Sequence, residues 1–216
     1  MTIKHQRLMA YASCVLLLLQ VITVLVSWVW GSVILDTNVS SLLTADGVRW
    51  FCSSLVDNVR SPLLIYILLI GLTAGQVKRS KILADLASFS TLPSFQRKAM
   101  TVALWEIAAI LVVVAYLTLA PHAVLLSALG TLFPSSFSAF LVPLLCTMAG
   151  VASITYGCIC GNIRSGSDVF DAAVEGGQMS VPYVIVYMLS SELYSSVCWV
   201  WGIEPAHISD IQYLIF

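Results

Sequence analysis

Charge is what this sequence lacks. Of its 216 residues only ten are basic and eleven acidic, 10% in all, against about 25% in an average soluble domain. So few charges cannot cover a soluble surface, which excludes a soluble globular enzyme. The net charge of −1 leaves no basic face for a nucleic-acid partner. Catalytic signatures are missing too: there is no HExxH, GxSxG, GxxxxGK[ST] or GxGxxG, so no catalytic residue is nominated and no enzyme is expected. The three histidines, His5, His122 and His207, sit at or beyond the ends of the apolar runs. Cys158 and Cys160, two of six cysteines, are spaced so that both thiols cannot face one direction on a helix. No metal site and no cofactor is expected.

What the chain does have is apolar surface. The apolar share is 59% and the mean hydropathy +0.95. A transmembrane barrel would alternate with period two; this chain shows long apolar runs. The reading is an all-α, polytopic transmembrane helix bundle in a single membrane domain, with lipid as its first partner. At about 20 residues per span, five spans fit: about 8–35, 62–77, 99–120, 139–161 and 181–203. The first is too long for a signal-peptide core and ends on Trp28 and Trp30, residues of an interfacial belt. Between the first two spans, 45–59 places Val48, Phe51, Cys52, Leu55 and Val59 on one helical face, an amphipathic helix expected in the interface. Asn38-Val39-Ser40 matches the glycosylation triplet, a pattern common by chance. The stretch 82–96, broken by Pro93, reads as an interfacial segment or loop. The uncharged stretch 122–138 reads as re-entrant or as a surface loop. Basic residues set the orientation. Lys4, Arg7, Lys78, Arg79, Lys81, Arg97, Lys98 and Arg164 fall on one side and only Arg49 and Arg60 on the other. The N-terminus is therefore expected inside and the C-terminus outside.

Lipid supplies no hydrophobic drive between helices, so small residues mark close packing. Gly71 and Gly75 form a GxxxG, and Ala149, Ser153, Gly157 and Gly161 recur every four residues. Both patterns are read as helix contacts, within the chain or across a dimer seam. Two acids fall inside spans, Glu106 and Glu192. An ionised side chain near a span centre costs about 2.5–3.5 kcal/mol on insertion scales, so each is a proton or ion pathway candidate. Ser195, Ser196 and Trp199 share the face of Glu192. The alternative role is packing, as a paired or protonated acid; Glu106, near Lys98, is the better fit to it.

Two blocks carry a resemblance. The first is Leu42-Leu43-Thr44-Ala45-Asp46-Gly47-Val48-Arg49-Trp50 with the span that follows. The second runs from Gln96-Arg97-Lys98 through 133–143 to Tyr156-Gly157-x-x-x-Gly161-x-Ile163, Asp168 and Val181-Pro182-Tyr183. They resemble the AbgT (aminobenzoyl-glutamate transporter) family over about 42–76 and 97–202. The resemblance implies a multi-pass secondary transporter of the bacterial cytoplasmic (inner) membrane. Its small-molecule substrates would be p-aminobenzoyl-glutamate-type aromatic-acyl amino acid conjugates, and it would be a homodimer. Against that family the chain reads as shortened or truncated, without either re-entrant hairpin region. No substrate-binding residue transfers; Gly47, Arg49, Trp50, Tyr156, Gly157, Gly161 and Asp168 match as scaffold and loop positions. The alternative is a non-transporting accessory or structural protein that binds another membrane subunit.

Overall fold

The computed structural model describes residues 3–33, 40–88, 92–119 and 136–203. The expected re-entrant stretch up to 135, the glycosylation triplet's Asn38 and Val39, His122 and His207 lie outside them. The described residues are all-α, with no strand among them: α1 (Ile3–Val33), α2 (Ala45–Val59), α3 (Pro62–Ser80), α4 (Ile82–Ala87), α5 (Ser94–Leu119), α6 (Ser136–Cys160) and α7 (Gly166–Val200). Five of these, α1, α3, α5, α6 and α7, contain stretches long and apolar enough to cross a membrane.

Local chemistry sets the ends. Thr44 caps α2, its Oγ1 accepting from the Gly47 amide at 3.2 Å. Pro62 occupies the first turn of α3, where a missing N–H costs nothing. Cys160 is followed by Gly161 at φ +77°. The Asn162 amide reaches back to Gly157 O at 2.9 Å and the Gly161 amide to Cys158 O at 3.2 Å, a Schellman ending that needs a left-handed residue. Gly202, at φ 62°, ends α7 in the same way. Gly161 thus belongs to a turn and not to the packing stripe; nothing lies within 4 Å of where its side chain would be. Helix α7 begins at Gly166, well before the span expected from 181. Ser165 and Asp168 cap each other: the Asp168 amide donates to Ser165 Oγ at 3.3 Å and the Ser165 amide to Asp168 Oδ2 at 3.2 Å. The helix continues through Pro182, as α6 does through Pro143. At 35 residues, or about 52 Å, α7 exceeds a hydrocarbon core of about 30 Å.

The residues group into two compact units, the division falling inside α3 and α7. The first holds α1, α2, the opening turn of α3 and α7 from Val181 onward. In it the loop before α2 is pinned at two points: the Leu42 amide donates to Ser27 Oγ at 3.2 Å, and the Ser40 amide to Val200 O at 3.1 Å. Ser27 is the one buried side chain among those described in α1. Trp30 lies against Trp201 (6.4 Å between rings) and Trp50 stacks on Trp199 (5.3 Å). These four rings mark one end of the unit, as an interfacial belt does.

The second unit holds the rest of α3, α4, α5, α6 and the opening half of α7. Its core is Ala99, Met100 and Ala103 of α5 against Ala152 and Tyr156 of α6. Gly71 and Gly75 of α3 meet Gly176, Ala172 and Ser180 of α7 backbone to backbone, so a methyl group at Gly75 or Gly176 would run into main-chain atoms. Gly157 packs on Ile163 and Ser80. Lys78 pairs with Glu175 at 2.7 Å and Arg79 with Asp168 at 3.7 Å, both across α3 and α7.

Candidate functional site

Helix α2 does not cross α7; it follows it. Trp50 meets Trp199, and eight residues later Asn58 meets Glu192, seven residues earlier on α7. Those contacts define an antiparallel pair. The face that α2 turns inward is also the smaller and more polar one. Gly47 is buried and Trp50, Ser54 and Asn58 are half-buried, while Val48, Cys52 and Leu55 of the apolar stripe are exposed. Phe51 and Val59 of that stripe are half-buried, and the exposed face also carries Asp46, Arg49, Ser53 and Asp57.

The chain then breaks. Arg60 leaves helical geometry (φ −68°, ψ 91°), Ser61 is irregular, and α3 starts at Pro62. A break frees backbone groups that need partners away from water. Here they have them: the Arg60 amide donates to Val56 O at 3.0 Å and Asp57 O at 3.2 Å, Ser191 Oγ donates to Asn58 O, and Ser61 Oγ bonds Tyr187 Oη. Residues 60–61 thus interrupt the helical run between α2 and α3.

Glu192 sits beside this break. Its Oε2 accepts from Asn58 Nδ2 at 3.1 Å. Its Oε1 is buried and without a partner. One turn on, Ser196 is fully buried and its Oγ accepts from Gln20 Nε2 of α1 at 2.8 Å; Gln20 Oε1 is likewise buried and unpartnered. Ser195 is buried without a described hydrogen bond. Two acceptor oxygens are therefore left unmet in a seam where an unmet polar group costs several kcal/mol in hydrocarbon. The end of α2 adds to them, since the last carbonyls of a helix carry its negative dipole end. The arrangement suits a cation, and a proton is the smallest that a carboxylate can take.

The other nominated acid stands in the second unit. Glu106 Oε1 accepts from Thr155 Oγ1 at 3.0 Å, and its Oε2 is buried and unpartnered. The matched scaffold positions separate by role. Gly47 packs on the backbone of Ser41 and Leu42, Trp50 stacks on Trp199, and Arg49 is exposed. Tyr156 is fully buried and donates to Asp85 Oδ2 at 2.7 Å. Gly157 and Gly161 end α6, and Asp168 caps α7. Of the small-residue set, Gly71 and Gly75 face α7, Ser153 is fully buried with its hydroxyl on Gly150 O, and Ala149 is half-buried. Among the described residues no group of three His, Cys, Asp or Glu could hold a metal, and the cysteines there are free.

Sequence reading missed Asn58, Gln20, Ser61 and Tyr187. Asn58 carried a signal: with Gly47, Trp50 and Ser54 it makes a second, polar stripe on α2. Gln20 was a lone amide inside an apolar run. No protein-family model, characterised protein or solved structure matches the chain.

Proposed function

We propose that this protein is a proton-coupled secondary transporter of the bacterial inner membrane, with Glu192 as the proton-binding group. The observation that carries the reading is the helix break at 60–61 beside a half-buried carboxylate with an unpartnered oxygen. Transporter sites form where spanning helices are interrupted, and helix C-terminal ends and loose carbonyls there bind the coupling cation. An acid that serves packing alone gains by satisfying both oxygens; one that cycles through protonation needs a free oxygen to receive the proton. Carrying a charge there costs energy, and proton uptake removes that cost, so occupancy of Glu192 biases how α2 and α7 pack.

A groove of ≈ 670 Å³ runs beside the break, lined by Leu55, Val59, Arg60, Pro62, Ile65 and Met188. It is apolar except at Arg60 and Ser61, which suits an apolar or aromatic body carrying one carboxylate. The aminobenzoyl-glutamate class implied by the AbgT resemblance has such an aromatic body and carries two carboxylates, one of which would pair with Arg60. The orientation proposed from the basic residues puts the N-terminus in the cytoplasm. A C-terminal alkaline phosphatase fusion is then active and a C-terminal GFP fusion dark. The deciding experiment is uptake of labelled p-aminobenzoyl-glutamate into proteoliposomes under an imposed pH gradient. Gradient-dependent flux above empty liposomes supports the reading; no flux, together with stable co-purification of another membrane protein, replaces it with an accessory role.

A further inference from the structure

A second groove lies wholly in the other unit. Its walls are Ile70, Thr73, Ala74 and Val77 of α3 with Leu145, Cys146 and Ala149 of α6; Leu83 and Ala84 of α4 close one end, where Lys78 and Lys81 also stand. Its volume is ≈ 610 Å³, inside the roughly 300–1,000 Å³ range of small-molecule sites. The walls come from two helices apolar enough to span a membrane, so the occupant enters from lipid and not from water. From Ile70 to Lys81 the chain rises about 16 Å, close to half of a hydrocarbon core of about 30 Å. The groove therefore has the length of one leaflet.

Its charge is concentrated at one end. Lys78 is neutralised by Glu175 at 2.7 Å, and the neighbouring Arg79 lies 3.7 Å from Asp168. Lys81 has no hydrogen-bond or ion-pair partner among the described residues. It is held at φ 63° in the sharp turn between α3 and α4, and its side chain is exposed. One cation with no partner among the described residues, at the mouth of an apolar channel one leaflet long, is complementary to an anionic phospholipid, acyl chain along α3 and α6, phosphate at Lys81.

We propose that this groove is a binding site for an anionic glycerophospholipid of the leaflet on the Lys81 side. The site is independent of Glu192 and of any transport activity. Basic residues beside membrane helices attract anionic headgroups, and removing one such contact weakens retention roughly fivefold.

The test is native mass spectrometry of the full chain in detergent, titrated with phosphatidylglycerol or phosphatidylcholine of the same acyl chains. The parent should retain phosphatidylglycerol several-fold better than phosphatidylcholine. Lys81→Gln should lose that preference and Lys81→Arg keep it. Ala149→Phe, which fills the channel and leaves the charge, should reduce retention of both lipids; circular dichroism confirms that each variant stays helical. Equal retention of the two lipids by the parent overturns the proposal. So does an unchanged preference in Lys81→Gln, which would mean that charge elsewhere recruits the lipid.

Discussion

Polar side chains pair between helices in both units, but the units differ in how closely their helix backbones approach. In the first, polar and aromatic side chains reach between helices: Gln20 to Ser196, Asn58 to Glu192, Ser61 to Tyr187, Trp50 onto Trp199. In the second, side chains are removed so that backbones can meet, at Gly71, Gly75 and Gly176 and along the alanines of α5 and α6. Close backbone packing has one arrangement and tolerates little change. Hydrogen bonds between polar side chains in a membrane contribute about 0.6 kcal/mol each on average and can exchange partners. The difference is one of tolerance: the α3–α7 approach makes the second unit the stricter frame, while the first unit's helix pairings rest on side chains that can be substituted one at a time.

That contrast fails first if the glycines prove dispensable. Gly75→Ala is expected to have the largest effect, about 3 kcal/mol, because the new methyl meets the Ala172 carbonyl and Gly176 main chain and only a helix shift relieves it. Gly157→Ala should cost less, about 1 kcal/mol, since the nearest atoms belong to the Ile163 side chain, which can turn aside. Val151→Leu, on an exposed position, should stay within about 0.5 kcal/mol. Melting in detergent, followed by circular dichroism, ranks the three; equal midpoints for Gly75→Ala and Val151→Leu would show that the α3–α7 approach is not what holds the frame.

In the first unit the largest structural loss should come from Trp50→Ala, about 2 kcal/mol, combining lost area with a stacked pair worth roughly 0.5–1.5 kcal/mol. Quenching of tryptophan fluorescence by brominated lipid should rise as Trp199 is uncovered. Tyr156→Phe tests the frame more gently. It removes the hydroxyl that meets Asp85 and should cost about 1 kcal/mol. Water reaches the half-buried Asp85 carboxylate and replaces the lost donor; a melting point below that of Gly75→Ala would invert the order and place the frame's strength in hydrogen bonds.

The helices were legible because lipid-facing surface is a coarse, repetitive signal. Runs of Leu, Val and Ile announce α1, α5 and α6 whatever they pack against, and Val48, Phe51, Cys52, Leu55 and Val59 announce α2 by spacing alone. What α2 packs with was not legible, because its contacts to α7 come from Trp50 and Asn58, off the apolar stripe, and their partners lie far away in sequence. The start of α7 was written in Ser165-x-x-Asp168, a capping box masked by the charges Asp171 and Glu175, which pull a hydropathy reading towards loop. Glu192 could be nominated from cost alone. Its neighbours could not, since Asn58 and Gln20 reach it and Ser196 from helices 134 and 176 residues away in sequence, and nothing local encodes such pairings.

The comparison is sharpest between the two intramembrane glutamates, where the smallest structural effect is expected. Glu192 and Glu106 have the same immediate pattern: one oxygen held by a single neutral donor, the other buried and unpartnered. They differ in what surrounds them. Glu192 faces a helix that ends and restarts; Glu106 lies on α5, an uninterrupted helix, against Thr155 of another. If a free oxygen were enough for proton coupling, both would serve. If the break is what converts protonation into movement, only Glu192 does. Gln keeps the shape and an acceptor oxygen and cannot ionise, so Glu192→Gln and Glu106→Gln should each melt within about 0.5 kcal/mol of the parent. Their transport should separate. Glu192→Gln is expected to lose the pH dependence of uptake, and Glu106→Gln to keep the parent's profile with at most a small change in rate. An unchanged profile in Glu192→Gln removes it from the proton path. An equal loss in both would mean that the helix break confers nothing, and that a carboxylate buried in either unit is sufficient.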